Sequence, residues 1–252
     1  MLSRLMNIID RELSPLKAIE YISEIHERDK FSSYTQYNET TEMIKKHLWE
    51  AGIENAQRYK FPSDGKAQYG DWISMRAWDP VSAELRIVEP EGKAGLITRY
   101  PDIPSALAMY SPPTPEGGVQ GELVDIDGKS QKRNEDLKGK ICLTGRKISL
   151  GLLHKVHRKG ALGVVSSYIG KREDDIPHGV LWENDWSLGR NTTPLGFTFM
   201  ISTERGQMLR RLLENDRVVL HAQVDATSYD GTMTTVTGSI PGETDEEVLV
   251  LG

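Results

Sequence analysis

Apolar positions along the chain recur first at helical spacing and then, past the middle, in short unbroken runs. In residues 1–13, Leu2, Leu5, Met6, Ile8 and Ile9 fit one face of a short amphipathic helix. Ser14-Pro15 restarts the chain, Ser14 as N-cap and Pro15 in the first helical position. The helix that follows, to about Glu27, is expected to turn Leu16, Ile19, Ile22 and Ile25 toward a core. A third helix is expected over residues 38–49, carrying Met43, Ile44, Leu48 and Trp49 and stopped at Ala51-Gly52. Residues 53–61 then read as a strand.

Residues 72–78 and 83–88 are candidate strands, with Asp79-Pro80 between them as a turn. Proline and glycine make 101–118 a loop. From Gly121 to Tyr168 the pattern tightens. Residues 122–126 form one strand, and Ile141-Cys142-Leu143 has no polar alternation, as in a strand covered on both faces. Ser149 caps a short helix with Leu150, Leu153 and Val156 on one side; Gly160 stops it, and Ala161 to Val165 opens another buried strand. So short a crossover implies parallel strands joined right-handedly, a βαβ unit. Residues 170–193 lack periodicity and read as a long surface loop, of the kind that often carries function. A strand (196–201), a helix (203–215) and a strand (218–224) follow. After a polar linker at 227–232 come two further strands, 235–240 and the apolar run Val248-Leu249-Val250-Leu251.

The order "GELVDI…DLKGKICL…HRKGALGVV" resembles the core of a protease-associated (PA) domain. Its flanks, "SSYTQYNETTEMIKKHLWEAGIENAQRYKF" and "TGSIPG…EEVLVLG", are similar to the opening of the catalytic domain in co-catalytic zinc aminopeptidases. That group contains aminopeptidase S, glutamate carboxypeptidase II and the transferrin receptor. The resemblance implies an α/β protein: an incomplete α/β/α peptidase sheet, formed by residues 1–90 and 227–252, with a β-rich PA domain at 91–226 inserted into it. It also implies a peptidase that binds two zinc ions and attacks a peptide carbonyl with metal-activated hydroxide, a glutamate serving as base. In such proteins the first metal-binding histidine and its nearby aspartate follow the strand that VLVL matches, so they would lie just past Gly252. No position in this sequence matches a metal ligand or the catalytic glutamate. The chain is therefore expected to be the N-terminal part of a zinc exopeptidase, to bind no zinc and to be inactive alone. The alternative is a non-catalytic PA-type module that binds a protein or peptide.

Other chemistry is thinly represented. His154 and His157 share one helix, but no carboxylate motif accompanies them, and Lys155, Arg158 and Lys159 disfavour a cation. Asp125-Ile126-Asp127-Gly128 opens like a calcium loop and fails at the sixth position, where Ser130 replaces the required glycine. Zincin, phosphate-loop and serine-elbow motifs are absent. Cys142, the single cysteine among 252 residues, reads as a core residue. A formal charge of −6 gives no electrostatic reason for a nucleic-acid partner. No apolar run is long enough for a membrane span, and the absence of a visible signal peptide reads as cytoplasmic. The expected partner is a peptide substrate of the complete enzyme. The residues placed nearest it, as an access loop, are His178, Trp182, Trp186, Arg190 and Asn191, with Asn184 among them: aromatic anchors mixed with polar groups able to orient a peptide.

Overall fold

The computed structural model describes residues 2–28, 33–128, 136–170, 176–185, 195–244, 246 and 248–250. The chain divides into two compact units, one made of residues 1–30, 35–61 and 233–252, the other of 31–34 and 62–232. Apart from residues 31–34, the chain passes from the smaller unit to the larger at 61/62. The strand expected at 83–88 lies in the larger unit.

Among the described residues, the smaller unit holds three helices, α1 (Leu2–Glu12), α2 (Pro15–Arg28) and, from residue 35 on, α3 (Tyr34–Glu50), and, up to residue 61, strand β1 (Gln57–Ser63). β1 pairs with the last strand of the chain, β11 (Gly231–Thr237). Polar side chains clasp α3 to both. Arg58 donates from Nε to Thr41 Oγ1 at 3.0 Å and from Nη2 to the carbonyl of Asn38 at 3.0 Å, and it also pairs with Glu42. Thr234 donates to Asn38 Oδ1, and Tyr37 donates to the Thr234 carbonyl at 2.9 Å. Across to α2, His47 meets Glu24 at 2.9 Å.

The expected burial of α2 is not found. Leu16, Ile19 and Ile22 are 74%, 61% and 66% exposed, and α2 buries none of its residues. The stripe has the right period, but the unit supplies no layer to cover it. Val248, Leu249 and Val250, expected in a buried strand, are 93%, 79% and 86% exposed and form no strand. An apolar run becomes a central strand only when neighbours satisfy both of its edges, and among the described residues it has none.

The larger unit contains the small hairpin β2 (Gln68–Tyr69) and β3 (Trp72–Ile73), followed by β4 (Ala77–Glu89), β5 (Gly95–Tyr100), β6 (Val119–Asp125), β7 (Lys140–Thr144) and helix α4 (Leu150–His157). Then come β8 (Gly163–Ser166), β9 (Phe197–Met200), helix α5 (Thr203–Leu213) and β10 (Val219–Tyr229). Seven of these strands form one mixed sheet, ordered β5-β4-β10-β6-β7-β8-β9. The β6 to β9 pairs are parallel, and β10 runs antiparallel to β4 and β6.

The expected turn at Asp79-Pro80 is instead the interior of β4. Pro80 pairs with Ala226 beside a register shift in β10, while β5 reaches only as far as Ala83. The proline therefore sits where β4 has a neighbour on one side only, a place that tolerates a missing N–H.

The βαβ unit forms as expected. Ser149 Oγ accepts from the Leu152 N–H, and Gly160 has φ of +85° where the helix stops. Leu153 and Val156 pack with Cys142, Val164 and Met200, and Val124 joins that cluster. Strand alternation puts the next residue, Asp125, on the opposite face, where it meets Arg210 of α5. Helices α4 and α5 thus cover opposite faces of the parallel strands.

Candidate functional site

Ligand sites in α/β sheets collect beyond the carboxyl ends of parallel strands. In this protein, a carboxylate-guanidinium cluster occupies that edge. Asp127, just past β6, accepts from Thr144 Oγ1 at 3.0 Å and from the Gly145 N–H at 2.6 Å. Arg146 Nε lies 2.8 Å away and Arg210 Nη2 3.8 Å. Arg210 also donates from Nε to Asp125 at 3.1 Å and from Nη1 to Ser167 Oγ at 3.5 Å. The cluster ties the ends of β6, β7 and β8 to α5. Its carboxylates already accept from cations and backbone, which suits a structural clamp. In the sequence, Asp125 and Asp127 read as a failed calcium loop and, in preference, as a turn between strands. Arg210, far along the chain, is the partner that decides their role.

The segment before β6 supplies a second polar assembly. Tyr110 adopts φ of +65°, uncommon for a bulky side chain. Its hydroxyl lies 2.8 Å from that of Tyr34, which in turn accepts from Ser63 Oγ at 3.1 Å. Burial, together with the Tyr34 hydroxyl beside it, pushes the Tyr110 phenol well above its ordinary pKa. A phenol so held is no acid or base near neutrality.

The expected access loop is described over residues 176–185. It is not wholly on the surface. The Met109 N–H donates to the Glu183 carbonyl at 3.0 Å and the Asp185 N–H to the Met109 carbonyl at 2.8 Å. Asp185 is fully buried and accepts from the hydroxyl of Thr198. These bonds press 183–185 against the segment that covers the β9 edge. Burial raises the pKa of the Glu183 carboxyl, opposed by the charge of Lys147 and the Asn184 N–H. His178 is exposed and spoken for, its Nδ1 lying 2.8 Å from Glu204 Oε2. Trp182 is exposed and Asn184 buried. Trp186, Arg190 and Asn191 lie outside the described residues.

A zinc site does not fit this donor set. Among the described residues, no group of three or more His, Cys, Asp or Glu side chains is placed to hold a metal ion. His154 is exposed on α4 beside Lys155. His47 turns one ring nitrogen to Glu24 and the other, at 3.6 Å, to Glu50.

Neither a protein-family model nor a curated protein matches the chain. Solved structures do. The chain is similar to an aminopeptidase from Aneurinibacillus sp. strain AM-1, with 16% identity and a TM-score of 0.52 over 90% of this chain and 48% of that one. It is similar to BSAP, a zinc aminopeptidase from Bacillus subtilis, with 15% identity and a TM-score of 0.54 over 89% and 48%. A peptidase M28 precursor from Shewanella amazonensis SB2B gives 17% identity and a TM-score of 0.50 over 80% and 44%. The fold is zinc aminopeptidase-like. The chain spans just under half the length of each of these proteins. No helix among the described residues is long and apolar enough to cross a membrane.

Proposed function

We propose that these residues are the leading part of a zinc-dependent exopeptidase of the aminopeptidase type. In this reading the smaller unit contributes the first helices and strands of the peptidase domain. The larger unit, with its βαβ core, is an inserted PA domain beside the substrate cleft. The observation that carries the proposal is the fold likeness, which covers about nine-tenths of this chain against the aminopeptidases but under half of theirs. The open apolar stripe of α2 and the exposed Val248–Val250 run support it, since both are surfaces that the rest of a peptidase domain would cover. Two zinc ions and the hydrolytic chemistry belong to residues outside this sequence. Peptides are the substrates of the complete protein, and the loop bearing His178, Trp182, Trp186, Arg190 and Asn191 shapes their access.

Assays of aminoacyl-p-nitroanilide hydrolysis test the reading. The 252 residues alone are expected to give no zinc-dependent turnover, and the complete gene product to give turnover that a chelator abolishes. In that product, Trp182→Ala and Arg190→Ala raise KM for peptides. Unchanged peptide kinetics in both variants would remove the access role.

A further inference from the structure

On the α5 face of the sheet, a groove of about 290 Å³ opens between that helix and strands β4 and β5. Its floor is apolar, made by Ile87, Leu96, Met208 and Leu212. Lys93, Arg205 and Arg211 stand at its rim, all three exposed. Among the described residues, no carboxylate lines it.

Several of the unit's carboxylates are already paired with other cations. Glu84 is paired with Arg86 and Arg99, Glu89 with Arg217, Glu204 with His178 and Asp125 with Arg210. Among the described residues, Lys93 and Arg211 take no ion pair, and Arg205 makes only a 3.5 Å hydrogen bond to the Leu96 carbonyl. In a chain of net charge −6, three unpaired cations around one apolar floor leave a local field that attracts anions.

We infer that the groove docks an acidic peptide segment, which sets one apolar side chain on the Leu96–Met208 floor and its carboxylates against Lys93, Arg205 and Arg211. The volume favours a peptide over an enclosed metabolite. About 290 Å³ lies at the lower limit of small-molecule pockets yet accommodates a leucine-sized anchor, and charge complementarity at the rim supplies orientation and selectivity. Exposed ion pairs are individually weak and screened by salt, so the complex has a Kd on the order of 100 μM at low ionic strength and weakens as salt rises. The inference rests on the groove alone and is independent of the peptidase reading.

Fluorescence polarisation with a fluorescein-labelled peptide, Glu-Glu-Leu-Asp-Glu, tests it on the full 252-residue chain. Saturable binding is expected, with Kd at least tenfold higher for Arg211→Glu and for Lys93→Glu. Arg158→Glu, on the exposed side of α4, is expected to leave it unchanged. A Leu→Ser peptide binds at least threefold more weakly, and a Lys-Lys-Leu-Lys-Lys peptide does not bind. Circular dichroism confirms that each variant remains folded, as expected for exposed positions. The inference is overturned if no saturable binding occurs, if Arg211→Glu and Lys93→Glu bind as the unaltered chain does, or if the basic peptide binds equally. Co-sedimentation with phosphatidylserine vesicles through the same residues, without peptide binding, would also overturn it.

Discussion

Gly206 sets how closely α5 approaches the sheet. A Cβ built there would lie 2.4 Å from Ser167 Cβ and 2.5 Å from Ser167 Oγ. Two effects of Gly206→Ala oppose each other. Alanine is about 1 kcal/mol better than glycine inside a helix. Overpacking a tight contact costs about 1–3 kcal/mol. The contact should win, because Ser167 is buried, its Cβ is fixed by the backbone just past β8, and α5 already has a working N-cap in Ser202. The helix must withdraw from the sheet, pulling Arg210 away from Asp125. At 2.4 Å from a fixed Cβ the contact belongs at the upper end of the overpacking range, about 2–3 kcal/mol, so the expected net loss is about 1–2 kcal/mol, or roughly 3–6 °C in the melting temperature of a domain this size. Urea titration of Gly206→Ala, Ser167→Gly and the double variant separates the causes. Ser167→Gly removes the atoms in the way, so the double variant should be more stable than the sum of the single effects by about 1 kcal/mol. A Gly206→Ala protein as stable as the parent, or strictly additive effects, would refute the close-contact argument.

Further outcomes follow from the same geometry. Asp127→Ala should lower stability by about 2–3 kcal/mol in urea, because Arg146 and the Gly145 N–H lose a charge-assisted acceptor; a change below about 0.5 kcal/mol would show that the clamp is idle. Glu183, whose carboxyl is raised above the ordinary 4.5 by burial, binds its proton more tightly folded than unfolded. The stability it contributes is thus present below the unfolded pKa and lost as pH rises through the folded value. Glu183→Gln should therefore be more stable than the parent at pH 7 and equal to it near pH 4; the same urea midpoint for the two proteins at pH 7 would contradict this. Cys142, fully buried in β7, should react with a thiol reagent such as dithionitrobenzoate only after unfolding, and rapid labelling under native conditions would place it at the surface instead.

The parts of the fold legible in the sequence are those set by local chemistry. Ser149, the apolar positions of α4 and Gly160 specify a helix between two buried runs within a few residues of one another, and the strands pair in the expected parallel sense. Asp79-Pro80 misled because the same dipeptide serves a turn or a one-sided strand position, and only the reach of β5 distinguishes them. Periodicity gave the helix of α2 and the wrong environment for Leu16, Ile19 and Ile22, since a pattern states which face is apolar and not what covers it. The clamp of Asp127 with Arg210, and the hydroxyl pair of Tyr34 and Tyr110, join residues far apart in sequence and carry no local signal. Buried Asp185 was hidden for the same reason, its acceptance from Thr198 arising only when the loop folds back beside β9.

As proposed, this chain is the scaffold and substrate-access part of a zinc exopeptidase, with the metal centre elsewhere in the gene product. The most direct measurement reads the native transcript past the codon for Gly252 and assays the encoded protein for zinc-dependent aminopeptidase activity. An open frame that soon supplies a histidine and then an aspartate is expected, with hydrolysis that requires the added residues. A stop codon directly after Gly252, or sustained zinc-dependent hydrolysis by the 252 residues alone, would contradict it.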